Sequence, residues 1–275
     1  MVLVALVLGS ANTASASGPQ RVMSLSLCTD ELLISLLAPA RIASVTYLAQ
    51  SADNAQRWRE AATLRTNHGT AEEILAHQPD LVLTSTYTGT TVRALLQRAG
   101  TPLVEIPSAH NFDEIRTITR TVARAVGEEA KGERLLADMN QILENPAAAR
   151  PTPPIRVAAW DGSGTVPARD TLFDAILTAA GGANVAAAQH GTGQSAFSLE
   201  ALLLARPTVL VYGTADTTAR NLHTDFNQHP LLLARYAQRR ISLPEVHYAC
   251  GTPDTAKAVA GLRAKLIAAT ATVPP

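Results

Sequence analysis

Short apolar runs rich in β-branched residues alternate along the whole chain with stretches whose apolar positions recur every three or four residues. That alternation is the signature of strands followed by amphipathic helices, and it predicts a largely parallel sheet. Strand-like runs fall at 21–26, 41–45, 81–83, 102–106, 155–159, 209–211 and 240–243, with a short extended piece at 183–188. Helical spacing covers 32–37, 92–99, 112–126, 128–144, 171–180, 231–237 and 255–270, and a short helix is expected around Trp58. Thr29, Asp30 and Glu31 are expected to open the first of these helices.

One unit is written twice. Thr70, Glu72 and Pro79 in the first half are matched by Ser198, Glu200 and Pro207, each pair 128 residues apart with no gap. Each copy reads as a hydroxyl cap, a short helix, a proline and a buried strand, and Thr70 with Glu73 has the spacing of a capping box. A repeat that keeps a polar position points to two related halves.

The prediction is therefore an α/β fold: two lobes of mainly parallel sheet with flanking helices, joined by one long interdomain helix. The 128–144 stretch, about 25 Å long as a helix, is the segment able to bridge them. A Pro- and Ala-rich stretch at 145–154 follows it. This divides the chain into 1–16 as a signal peptide, 17–127 as the N-terminal lobe, 128–154 as linker helix and boundary, and 155–275 as the C-terminal lobe. The leader carries an apolar run at 2–9 and ends in Ala14, Ser15 and Ala16, the form of a signal-peptidase site, although no Lys or Arg precedes Arg21.

Composition narrows the function. In 275 residues the formal net charge is zero and only 17% are charged, with no basic cluster longer than Arg239 and Arg240, so nucleic acid is not an expected partner. Aromatics are only 4%, yet Tyr47, Tyr87, Trp160, Tyr212 and Tyr248 all fall just past strand-like runs, as do His68 and His247. Ligands of parallel α/β sheets bind beyond those strand ends. Cys28 and Cys250 follow strand ends in different halves, so they are expected either to bond across the opening or to touch the ligand. No P-loop, nucleophile elbow or C-x-x-C motif is present, and the glycines at 191 and 193 lack the setting of a dinucleotide fingerprint. An exported metal-dependent enzyme using His68, His247 and the cysteines stays open as an alternative.

The residues running from Val22 into Cys28, Thr29, Asp30 and Glu31, the run Arg41 to Val45, the repeat with Pro79, Asp80 and Leu81, and Gly100 to Val104 resemble the periplasmic cobalamin and iron-siderophore binding proteins of ABC importers. The resemblance covers nearly all of the chain after the leader. It implies a monomeric, periplasmic, non-enzymatic receptor of the class with a helical linker, with no intrinsic cofactor. Such a receptor holds a small-molecule metal chelate (a corrinoid or ferric siderophore) between its lobes, with a haem- or metal-ion-binding receptor of the same fold as the alternative. The expected ligand residues are Cys28, Tyr47, His68, Tyr87, Trp160, Tyr212, His247 and Tyr248. The resemblance also implies that Glu72 and Glu200 dock into the permease dimer in the inner membrane.

Overall fold

The computed structural model describes residues 18–145, 150–189, 191–213 and 229–271. The predicted signal peptide, 1–16, lies outside the described residues.

In chain order the first lobe runs β1 (Val22–Ser24), α1 (Leu27–Leu36), β2 (Ile42–Thr46), α2 (Trp58–Ala61), β3 (Thr66–Asn67), α3 (Ala71–His77), β4 (Leu81–Ser85), α4 (Thr90–Arg98), β5 (Leu103–Ile106) and α5 (Phe112–Val126). Its five strands are parallel in the order β3-β2-β1-β4-β5. After α6 (Glu129–Leu143) come β6 (Ile155–Ala159), β7 (Thr165–Pro167), α7 (Leu172–Ala180), β8 (Gly182–Asn184), α8 (Val185–Gln189), β9 (Gln194–Ala196), α9 (Leu199–Ala205), β10 (Val209–Tyr212), α10 (Pro230–Tyr236), β11 (Arg240–Ser242) and α11 (Thr255–Ala271). Here the parallel order is β11-β10-β6-β8, and β7 pairs antiparallel with β9.

Two predicted boundaries shift for local reasons. The first helix starts at Leu27 rather than Thr29, because the Ser26 hydroxyl accepts the Thr29 N–H and so caps it earlier. The extended piece expected at 183–188 becomes helical from Val185, since the Asn184 side chain accepts the Ala186 N–H and a run of alanines follows.

The repeat holds atom by atom. Thr70 and Ser198 each accept the backbone N–H three residues on, both helices have seven residues, and both end on a left-handed residue, Gln78 and Arg206. An arginine from the adjoining strand edge donates to the last helical carbonyl in each copy: Arg21 to His77 and Arg156 to Ala205. Asp80 N–H bonds the Arg21 carbonyl and Thr208 N–H bonds the Arg156 carbonyl, so β1 corresponds to β6 and β4 to β10.

Helix α6 spans about 22 Å and packs on α5 of the first lobe and α11 of the second. Gly132 permits this closeness, because a Cβ there would meet the Ala123 Cβ at 2.6 Å. One apolar cluster runs from Val22 and Leu33 through Leu136 and Met139 to Phe173, Val259 and Leu266, so the lobes share a core rather than swing freely.

Two bonds close the other side of the interlobe contact. Cys28 and Cys250 form a disulfide with their Cα atoms 5.0 Å apart, and Arg57 pairs with Asp254 at 2.5 Å. Burial opposes ionisation of Asp254, yet Lys257 and Arg57 outweigh it and hold the carboxyl below its usual range. Glu31 Oε1 accepts the Arg57 N–H at 3.2 Å, tying the strut back to α1.

Asp30 pins α1 to β2. It is fully buried and accepts both the backbone N–H and the hydroxyl of Thr46. Burial pushes its carboxyl up to about 7, against the hydrogen bonds from Ser24 and Thr46 that favour the anion.

The disulfide closes a loop of 222 residues. Cys28→Ser with Cys250→Ser is expected to lower the unfolding free energy by about 2–5 kcal/mol; urea denaturation checks it, and an unchanged midpoint refutes it. A carboxyl whose folded pKa exceeds its unfolded value binds its proton more tightly when folded. The Asp30 contribution is therefore greatest below the usual carboxylate pKa of 3.8 and is lost as pH rises towards about 7. Between pH 4 and 8 stability should fall by up to about 4 kcal/mol, and Asp30→Asn should remove that slope in urea titrations at each pH.

Candidate functional site

The carboxyl ends of both parallel sheets meet at the interlobe bridge, because Cys28 follows β1 while Cys250 follows β11, and Arg57 follows β2 while Asp254 opens α11. In the first lobe the residues beyond those ends are held by Asn67. Its fully buried side-chain amide donates to the Ser24 carbonyl on β1 and to Ser44 Oγ and the Val45 carbonyl on β2. Its side-chain oxygen accepts the Gly69 N–H at 3.1 Å, and Gly69 takes φ +74°, a value glycine adopts without strain.

His68 therefore sits between two fixed backbone positions. Glu73 accepts the His68 backbone N–H at 2.9 Å and the Thr70 N–H at 3.1 Å through one oxygen, and meets His68 Nδ1 at 3.2 Å through the other. The bonds from the His68 and Thr70 backbone hold this carboxyl down to about 2. An ionised carboxylate only accepts, so the Nδ1 that meets it is the donor. The ring of Tyr47, half-exposed after β2, stacks on the imidazole with centroids 4.8 Å apart and planes at 22°. Tyr87 stands apart at 82% exposure on the turn after β4.

The second lobe is built differently. Trp160 occupies the position that Leu25 holds in the first lobe, each donating its backbone N–H across to the neighbouring strand, to Val211 and Leu83 respectively. Trp160 is only 4% exposed and packs with Phe197, Leu202 and Leu210. Phe197 and Leu202, far off in sequence, close over it. The indole still forms a wall of a pocket of about 300 Å³ bounded by Gly162, Gly164, Leu199 and Glu200. It also borders a small cavity shared with Asp161, Phe173 and Tyr248.

Tyr248 lies edge-on to Phe173 at 5.6 Å, and burial first, then Glu245 and Asp161, pushes its hydroxyl up to about 12, so it stays a donor. Burial and the nearby Lys265 lower the pKa of His247. Tyr212 is half-buried with the Arg240 guanidinium 5.3 Å from its ring centre.

The fold thus brings Tyr47 to His68, Trp160 to Tyr248 and Cys28 to Cys250. It does not assemble the alternative metal site, since both cysteine sulfurs are consumed in one bond and offer no thiolate beside His68 or His247. Among the described residues no three His, Cys, Asp or Glu side chains group as metal ligands. Cys28 accordingly serves as part of the bridge behind the opening. The roles of Asn67, Asp30, Arg57 and Asp254 are not legible in the sequence, because nothing local marks Asp30 and Asn67 as buried or brings Arg57 to Asp254, 197 residues away. Glu73 was legible only as a capping residue.

Glu72 and Glu200 are exposed in the first turns of α3 and α9, and neither joins an ion pair among the described residues. A bond from its own backbone N–H, then one from Ser198, lowers the Glu200 pKa. No helix among the described residues is long and apolar enough to cross a membrane.

No curated protein matches the chain. Solved structures do. The periplasmic heme-binding protein RhuT from Roseiflexus sp. RS-1 is similar at 26% identity and TM-score 0.75, over 92% of this chain and 100% of that one. HutB, a periplasmic heme-binding protein of Vibrio cholerae, is similar at 20% identity and TM-score 0.75, over 90% and 98%. BtuF, the periplasmic vitamin B12 binding protein of Vibrio cholerae, is similar at 18% and 0.69, over 92% and 98%. The family model described as periplasmic binding protein matches residues 22–239. Matched over that length and built as two parallel-sheet lobes joined by a helix, the chain belongs to the periplasmic binding protein family, in its class with a helical linker.

Proposed function

We propose that this protein is the periplasmic receptor of an ABC importer, capturing a metal chelate between its lobes and handing it to the permease without chemistry of its own. The observation that carries this reading is the twofold repeat. The same capped unit places an exposed acid at the start of one helix in each lobe, while its strand leads to the edge where the two sheets meet. Acids at matching positions of two related lobes suit a dimeric permease that offers two matching basic sites.

The cargo belongs among corrinoids, ferric siderophores and haem. Aromatic and polar groups after the strands, the exposed Tyr47 and His68 and the half-buried Tyr212, His247 and Tyr248 with Trp160 behind them, suit a large ligand with both flat apolar and polar parts. The shared core, α6 and the Cys28–Cys250 bridge favour modest closure on binding. The chain reaches the periplasm, in this reading, through the leader at 1–16, and works as a monomer whose lobes are 17–127 and 155–275.

Glu72→Lys combined with Glu200→Lys should cut chelate uptake by cells to below about a tenth while changing the Kd of the purified protein less than about threefold, since charge at a docking surface acts on the partner. Tryptophan quenching by cyanocobalamin, a ferric siderophore or haemin gives the Kd, and uptake of the same labelled chelate gives the transport. Undiminished uptake refutes docking through these acids, and no quenching by any of the three refutes the chelate class.

A further inference from the structure

Helices α3 and α9 each turn an apolar pair to solvent beside their acid. The residue that α3 buries is Ile74, packed with Met23, Val82 and Leu96, and α9 buries Leu202 and Ala205. Helical periodicity then sends Glu72 outward together with Leu75 and Ala76, and Glu200 outward together with Leu203 and Leu204. Leu75 is 54% exposed and Leu204 79%, while Ala76 is exposed and Leu203 partly buried.

The outward face of a short surface helix is ordinarily polar. A single exposed leucine needs no explanation. Here, however, two related helices each set one a turn beyond an exposed acid, on the same side, in different lobes. Neither Leu75 nor Leu204 belongs to an apolar core cluster, so folding does not require them. Neither acid joins an ion pair among the described residues.

Whatever covers such a face has to bring a base to the acid and apolar surface one helical turn away. A second copy of this chain does not, because pairing like faces sets acid against acid. A lipid surface with anionic headgroups repels both acids. Two such faces on two related lobes fit a protein that repeats its own basic and apolar pair about a twofold axis.

We propose that docking is two-part: at each lobe the permease sets a basic side chain on the acid and an apolar side chain beside it, on Leu75 and Ala76 of α3 and on Leu203 and Leu204 of α9. This deepens, and rests on, the reading of the chain as a receptor that docks through Glu72 and Glu200. The acids steer and orient the encounter, and salt screens them. The leucines lose water when covered and slow release.

The test adds the mature protein to spheroplasts of cells that lack its gene, with radiolabelled cyanocobalamin, ferrioxamine B and haemin each supplied as the transported chelate. Uptake against receptor concentration gives the half-saturating concentration, which reads docking. Leu75→Gln with Leu204→Gln should raise it at least about tenfold, while the Kd for the chelate stays within about threefold. The urea midpoint should not move, because both side chains lie outside the core. Ile267→Gln removes an exposed apolar residue from α11, a helix that packs on α6 and α7, and should dock like the wild type. Raising KCl from about 0.05 M to about 0.5 M screens the acids; the wild type should keep saturable uptake there, and the leucine variant should lose it. Uptake by the leucine variant equal to that of the wild type at both salt concentrations overturns the proposal; docking through the acids still stands if Glu72→Lys with Glu200→Lys abolishes uptake. A loss of the same size in Ile267→Gln also overturns it, since the effect would then follow any exposed apolar residue. Uptake unmoved by the leucine and the acid variants alike overturns both readings of docking, and no wild-type uptake of any of the three chelates overturns the receptor reading with them.

Discussion

The interlobe contact constrains everything else in this molecule. Two α/β lobes whose strand ends point at one another need a fixed separation if the residues between them are to hold a ligand without first being ordered. Three kinds of bond set it: the Cys28–Cys250 disulfide, the Arg57–Asp254 pair, and the apolar core continued through α6. They differ in what weakens them. Reductant opens the first, whereas the second is partly buried and little affected by salt. The third scales with the apolar area removed from water. Fixed lobes also lower the cost of binding, because little conformational freedom remains to be lost when a ligand enters.

Within that frame the first lobe spends buried polar groups on position. Asp30 and Asn67 are both fully buried, and both bind the backbone or side chains of β2 at its carboxyl end. A buried carboxyl near neutrality costs stability, and an apolar residue of similar size would avoid the cost. What these groups accomplish is to hold Thr46 and the 67–69 loop, the segments that carry Tyr47 and His68, against the sheet. The second lobe spends its side chains differently. Where Leu25 follows β1, Trp160 follows β6, buried under α9 and forming a wall of the pocket at whose rim Glu200 stands. The two lobes share a backbone plan and divide the recognition chemistry between them.

The repeat explains why a single chain can face two directions. Each copy presents its helix start, with Glu72 or Glu200, to solvent, and sends its strand, β4 or β10, into the interior of a sheet, next to its edge strand. A short helix with a hydroxyl cap, an exposed acid in its first turn and a left-handed end is locally self-sufficient. It needs only one arginine from the neighbouring strand edge to satisfy its last carbonyl, and both lobes supply it, through Arg21 and Arg156.

The sequence by itself determined the alternation of strands and helices, the ungapped repeat, the long linker helix and the places where strands end, since periodicity, caps and prolines act over a few residues and leave a local mark. Element boundaries moved where a side-chain cap set the helix start, at Ser26 and at Asn184. Only the tertiary structure decided that Cys28 meets Cys250 rather than a ligand, that Trp160 is covered by Phe197 and Leu202, that Asp30 and Asn67 are buried, and that Glu73 orients His68 as well as capping α3. Each of these depends on residues brought together across the sheet or across the lobes, or on which of a side chain's several hydrogen bonds the surroundings leave open. Spacing along the chain carries no record of either.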